Sequence, residues 1–363
     1  MRRRVLPEPP FRKGNALVPV LGAVVLLATI ALITFLWFGV AAPTPQSQEM
    51  TSSPRSDDPG TRGSDAAAPP PTTVGQIPDP SERSPLEQQM IETIFDLFQS
   101  MQWNQAMDLS VAHRVARARE ELAAYLAGLP PEAVPMLLGL LEEEPDFINR
   151  RFLIRGLGKI GTAEAIAGLE RHYWQMLELN KESEIKYTVE AIGSADNDVC
   201  FDALVRLSGD ESARPHRWRF IEALGNHSRR TEAVPLFTEA LANDPFFRVR
   251  SRAALGLKLA AIVDSASRIE TALEREKNPY VRQAMIGALG GVRDIQSLGA
   301  LEEILANDPD LQSRMSAARS IARIGGDRAR AILQAVLERE EHQRIHFEAQ
   351  QGLDFLLEHP QGG

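Results

Sequence analysis

Along this chain a basic residue is followed seven positions later by an aliphatic residue and eight positions later by a small one, over and over. The clear starts are Arg119, Arg150, Arg217, Arg248, Arg282 and Arg314. Their partners at seven are Leu126, Leu157, Leu224, Leu255, Leu289 and Ile321, and at eight Ala127, Gly158, Gly225, Gly256, Gly290 and Ala322. Arg344 opens a weaker copy, with Gln351 and Gly352, and a copy around Ile185 (Ile192, Gly193) has Lys186 beside its start. The starts are 31, 35, 32, 31, 34, 32 and 30 residues apart. A period near thirty-two residues predicts stacked helix pairs, in which no unit can bury its apolar stripe without neighbours.

Punctuation between the starts divides each unit. Glu144-Pro145, Asp244-Pro245, Asn278-Pro279 and Asp308-Pro309 put an acid or amide before proline, which ends one helix and caps the next. Glu132-Ala133-Val134-Pro135 returns as Glu232-Ala233-Val234-Pro235, with proline in the first turn of a second helix. The small residue lets neighbouring helices approach, and the aliphatic one fills the seam. The recurring arginine keeps register with these packing positions. It is therefore expected to bond a neighbouring helix end or the acid before proline, leaving the second-helix face for binding.

The segments outside the repeats read differently. Ser84-Pro85-Leu86-Glu87 forms a capping box, and Met90, Ile91, Ile94, Leu97, Phe98 and Met101 follow at helical spacing. Residues 85–111 are thus an N-terminal capping helix, 112–343 the repeats, and 344–363 a C-terminal capping helix and tail. The expected fold is all-α, a right-handed α-solenoid of about seven stacked helix pairs. One transmembrane helix and a disordered linker should precede it. No charge occurs from Ala16 to Ala42, and the 24 residues from Leu17 to Val40 would reach roughly 36 Å as a helix, enough for a bilayer core of about 30 Å. Residues 1–15 carry Arg2, Arg3, Arg4, Arg12 and Lys13 against Glu8, which favours a cytoplasmic N-terminus. Residues 16–42 are read as an uncleaved anchor of a single-pass inner-membrane protein, with the solenoid periplasmic or extracellular. Residues 43–84 are dense in Pro, Ser, Thr and Asp and read as a disordered tether.

The motifs Phe247-Arg248…Ala253-Ala254-Leu255-Gly256, Val281-Arg282…Ala288-Leu289-Gly290, Arg314…Ala317-Ala318…Ile321-Ala322-Arg323-Ile324-Gly325 and Arg150…Leu157-Gly158-Lys159-Ile160-Gly161 resemble HEAT repeats. They are of the short kind also found in phycobilin-lyase-type proteins. The resemblance implies a helical-repeat scaffold more than any one activity. It brings in a lyase-like enzyme subunit as one alternative. The iron-binding His-Glu dipeptides of the deoxyhypusine hydroxylase family have no counterpart, since the chain contains no His-Glu dipeptide.

Composition narrows the function further. The net charge is −9, and with the first fifteen residues at +4 the rest of the chain is −13, which argues against nucleic acid as a partner. The single cysteine, Cys200, lies between Val199 and Phe201 and reads as a buried apolar residue. His342 and His346 share a helix face but lack a third fixed ligand. No catalytic, cofactor or metal residues are expected. The repeat departs from its pattern at two places, and these are the candidate partner-binding residues. One is His172 and Trp174 in the longest unit; the other is Arg214, Arg217, Trp218 and Arg219, where tryptophan sits among cations. The expected function is a membrane-tethered scaffold that binds a protein near the membrane, without catalysis. Binding of an envelope ligand or polymer through the Arg/Trp-rich turns is the alternative.

Overall fold

The computed structural model describes residues 83–101, 109–340 and 342–359. The basic N-terminus, the anchor at 16–42 and the tether up to 82 lie outside the described residues. Among the described residues, no single helix is long and apolar enough to cross a membrane.

Helix α1 (Pro85–Ser100) precedes the pairs α2 (Leu109–Ala127) with α3 (Val134–Glu143), α4 (Phe147–Ile160) with α5 (Ala163–Glu178), and α6 (Glu182–Ile192) with α7 (Asp198–Gly209). Then come α8 (Arg217–Asn226) with α9 (Val234–Asn243), α10 (Phe247–Ala260) with α11 (Ala266–Arg275), α12 (Pro279–Val292) with α13 (Leu298–Asn307), and α14 (Leu311–Ile324) with α15 (Gly326–Arg339). A single helix, α16 (Gln343–Glu358), closes the series. The described residues form an all-helical array of seven pairs with one helix at each end.

Local chemistry sets the boundaries. Ser84 and Glu87 make both bonds of the capping box at α1. Asp146 accepts from the N–H groups of Ile148 and Asn149, and Asn278 and Asp310 cap α12 and α14 in the same way. Pro135 and Pro235 fall in the first turns of α3 and α9. Cys200 is fully buried, and burial pushes its thiol pKa up.

The first helices of successive pairs approach to backbone contact. A Cβ on Gly158 of α4 would lie 2.4 Å from the Ala191 carbonyl oxygen of α6. One on Gly290 of α12 would lie 2.7 Å from Ser320 Cα of α14, and one on Gly225 of α8 would lie 3.3 Å from Gly256 Cα of α10. The second helices do not close up in this way. Recesses of 540 Å³ between α9 and α11, and of 260 Å³ between α13 and α15, remain open between them.

Recurring arginines tie the boundaries at α8, α10, α12 and α14, and the structure corrects their register. Arg250 holds Glu276 in two bonds (Nε–Oε2 2.6 Å, Nη2–Oε1 3.1 Å) and donates through Nη1 to the Asp244 and Pro245 carbonyls. Arg282 pairs with Asp308 and donates to the Leu273 and Glu276 carbonyls. Arg314 pairs with Glu340 and donates to the Leu305 carbonyl. Arg217 pairs with Asp244 at 3.1 Å and Glu211 at 3.0 Å. In each case the acid ends the second helix of the arginine's own repeat. The acid also accepts the N–H that opens the next first helix, from Phe246, Asn278, Asp310 or His342, through a separate oxygen except at Glu276, whose Oε1 takes both Arg250 Nη2 and Asn278 N–H.

Three starts fall outside this ladder. Arg248 is exposed, because Arg250 occupies the ladder position of α10 and Leu257, not Leu255, is the fully buried aliphatic seven residues on. Arg119 and Arg344 are exposed as well. At the last boundary His342 caps α16, its Nδ1 accepting from the Arg344 N–H.

Two mutational contrasts follow. Arg250→Ala leaves Glu276, whose side chain is 6% exposed, without its partner and should cost about 3 kcal/mol in urea unfolding, whereas Arg248→Ala should stay within about 0.5 kcal/mol. Gly158→Ala drives a methyl into the α6 backbone and should cost about 2 kcal/mol. Gly287→Ala, whose Cβ meets nothing within 4 Å, should gain roughly 0.5–1 kcal/mol from helix propensity.

Candidate functional site

The longest repeat unit is long because of α5, which has 16 residues where α9, α11 and α13 have 10. The extra length ends in a turn through Asn180, whose φ of 53° lies in the left-handed region. This turn puts Leu179 where the other repeats place their ladder acid, and Leu179 points out at 59% exposure. The acid is supplied from α6 instead. Glu184 takes Arg150 in two bonds, Nε–Oε2 at 2.9 Å and Nη2–Oε1 at 2.6 Å.

Around that substitution lies a buried knot of polar and aromatic groups. Tyr173 is fully buried, with ring centroids 4.9 Å from Trp174, 5.3 Å from Phe220 and 6.3 Å from His216. Burial raises its phenol pKa well above the usual value. His172 is buried with Nε2 3.4 Å from Glu184 Oε2, but the geometry makes no hydrogen bond. Burial therefore lowers its pKa, against the pull of Glu184. His216 is buried too. Its Nε2 lies 2.9 Å from Glu182, its Nδ1 has no partner, and burial again lowers its pKa.

The six candidate residues separate. His172 is enclosed in the knot, so it offers no surface, and Trp174 is half-buried against the core. Arg217 is held in the ladder by Asp244 and Glu211. Arg214 is exposed, over Phe246 at 5.7 Å, on the side of α8 that faces α9. Arg214 and Arg217 share a recess of 380 Å³ facing α9, while Trp218 and Arg219 come together at a larger one. The Arg219 guanidinium stacks 4.2 Å from the Trp218 ring, with Arg252 at 5.8 Å and Arg248 at 6.0 Å.

This recess lies on the first-helix face, not the second-helix face expected from sequence. It measures 690 Å³ and is framed by α6, α8 and α10, with Glu190, Trp218, Glu222 and Arg252 in its walls. A second recess of 370 Å³, framed by α2, α4 and α6, shares Glu190 and Ser194 with it. Together they make one trough across five consecutive first helices. A second aromatic sits beside it. Tyr187 lies beneath Arg151 at 4.3 Å, Arg155 at 5.5 Å and Lys186 at 5.6 Å.

Sequence reasoning missed Tyr187, Arg151, Arg155 and Arg252. Positions one and five past each start signalled Arg151 and Arg155, but not Tyr187 or Arg252, which lie two past Ile185 and Arg250. Positions one and five are four apart and share a helix face, as in Arg151/Arg155, Lys186/Glu190 and Trp218/Glu222.

The HEAT-repeat family model matches residues 174–258 and 267–354. That match runs from the end of α5 to α16, over the same stacked helix pairs. Among curated proteins no relative matches the chain. Among solved structures it is similar to human deoxyhypusine hydroxylase in complex with glycerol, at 16% identity and a TM-score of 0.32, over 76% of this chain and 100% of that one. It is also similar to the complex of CpcE and CpcF of phycocyanin lyase from Nostoc sp. PCC7120, at 17% identity and a TM-score of 0.25, over 78% and 100%. Likeness at this level says nothing of this chain's activity.

The knot makes stability pH-dependent. His172 and His216 titrate below their ordinary value when folded, so the unfolded chain binds their protons first. Stability is full above about pH 6.5 and falls as pH drops below it. In urea melts, His216→Gln should flatten the pH 5–7 part of that slope relative to the parent chain.

Proposed function

We propose that this chain is a membrane-tethered scaffold that binds a protein partner through the first-helix face of its HEAT repeats, with no catalysis of its own. The observation that carries the reading is the trough across α2 to α10, walled by Trp218 and its three arginines. Aromatic and arginine side chains at the centre of a recess are the usual anchors of protein interfaces. HEAT repeats are stacked so that one face is continuous from unit to unit, which suits them to extended partners. The anchor proposed at 16–42 and the tether after it would hold the repeats near a membrane and raise the effective concentration of a partner there. In this arrangement the N-terminus is cytoplasmic and the repeats lie outside the cytoplasm.

The two parts of the proposal are tested separately. A photo-crosslinking amino acid at Asn226, on the rim of the trough, should yield one discrete adduct in cells, lost with Trp218→Ala. The same group at exposed Glu274 on α11 should yield none. Equal adducts from both positions, or none from Asn226, would contradict the proposed surface. Alkaline phosphatase fused after Gly363 should be active in intact cells; an inactive fusion of normal abundance would contradict the topology.

A further inference from the structure

Part of the array sorts its charges by helix layer. The first helices α4, α10, α12 and α14 contain no Asp or Glu. The second helices α3, α9 and α13 contain no Arg or Lys. The ladder accounts for Arg150, Arg250, Arg282 and Arg314, each neutralised by an acid. Among the described residues, no carboxylate lies in ion-pair reach of Arg151, Arg155, Arg248 or Arg323. Cations even crowd one another: Lys258 of α10 is half-buried, and burial first and then the Arg323 charge lower its pKa. An acidic protein thus carries unpaired cations on its first-helix face, beside the acids of α2, α6 and α8, and the trough runs through both.

We infer that this face binds an acidic peptide segment of the partner in extended form. This inference rests on the protein-binding reading above and names the chemistry of the bound segment. The trough crosses four helix-to-helix steps of about 8–10 Å each, so it spans roughly 35 Å and fits about eleven residues of extended chain. Its charges are not uniform. Arg155 and Lys159 stand at one end; at the other, Arg219 and Arg252 are paired with Glu182 and Glu222 at 3.4 and 3.2 Å, unpaired Arg248 lies 6.0 Å from the Trp218 ring, and Glu190 stands between the ends. A peptide acidic at both ends and free of acid in the middle complements that order.

The same features disfavour other polyanions. Glu190, Glu222 and Asp196 interrupt the cation field that a phosphate backbone would follow. The Trp218 and Tyr187 rings are already covered by the chain's own arginines, so neither offers a face on which a base could stack. A bilayer surface is flat, and these cations stand around a recess.

The test uses the full-length chain in mild detergent and a fluorescein-labelled dodecapeptide with Glu and Asp at both ends and Leu-Gly-Lys at its centre. Binding read by anisotropy should be at least tenfold tighter than for the counterpart with Gln and Asn in place of the acids. It should weaken with added salt. The double substitution Arg155→Glu with Arg252→Glu should reduce it at least tenfold, and Arg268→Glu on exposed α11 should leave it unchanged, both with unaltered circular dichroism. If the reversal does not fold, Arg248→Glu alone, at an exposed position outside the ladder, should still weaken binding severalfold. Equal binding of the acidic and amide peptides would overturn the inference. So would tighter binding to a twelve-nucleotide single strand or to phosphatidylglycerol vesicles. Discrete crosslinking at Asn226 alongside failure of the acidic peptide would leave the scaffold reading standing and remove only the acidic specificity.

Discussion

At every boundary of a stacked helix array, one helix ends with free carbonyls and the next begins with free N–H groups, and both ends are crowded by neighbouring repeats. At the boundaries headed by Arg250, Arg282 and Arg314, one arginine and one acid meet both demands. The arginine donates to the carbonyls that end the preceding second helix and grips the acid that ends its own repeat's second helix, as Arg250 does with Asp244, Pro245 and Glu276. The acid also accepts the N–H that opens the next first helix, as Glu276 does from Asn278. Burial alone would raise the Glu276 pKa, but the Arg250 and Asn278 bonds outweigh it and hold the carboxyl below its ordinary range. The ladder fixes the rotation between repeats, and the glycines then allow the first helices to close to backbone contact.

That geometry divides the molecule into two surfaces. Tight packing of the first helices aligns their outward positions from repeat to repeat, so residues one and five past each start form a continuous face. The second helices stand apart, and their recesses have ladder residues in their walls, Asp244 and Glu276 between α9 and α11 and Glu340 between α13 and α15. Structural charge is thus spent near the second-helix ends, and cations without a carboxylate partner collect on the other side.

Much of the array was legible in the sequence, because its signals are local. The period, the prolines in first turns, the capping box at Ser84 and the need for a small residue at Gly158 and Gly290 each depend on neighbours a few residues away or on exact repetition. The register slipped at α10, where Phe247-Arg248-Val249-Arg250-Ser251-Arg252 offers three arginines and Leu255 competes with Leu257. Counting six residues on from the acid that ends the preceding helix resolves it, since Glu144, Asp244, Glu276 and Asp308 lead to Arg150, Arg250, Arg282 and Arg314. The site was less legible. His172 looked available because nothing nearby in sequence shows that the longer α5 brings Glu184 and the Tyr173 knot over it. Tyr187 was overlooked because the cations that cover it come mainly from the preceding repeat.

The central claim is that the arginine and the acid act as a coupled pair across each ladder boundary. A double-mutant cycle on Arg250→Ala and Glu276→Ala in urea unfolding measures that coupling directly. The account predicts a coupling energy of about 2 kcal/mol, with the double mutant less destabilised than the two single losses combined. Losses that add to within about 0.3 kcal/mol would show that the ladder is a by-product of packing and not what sets it.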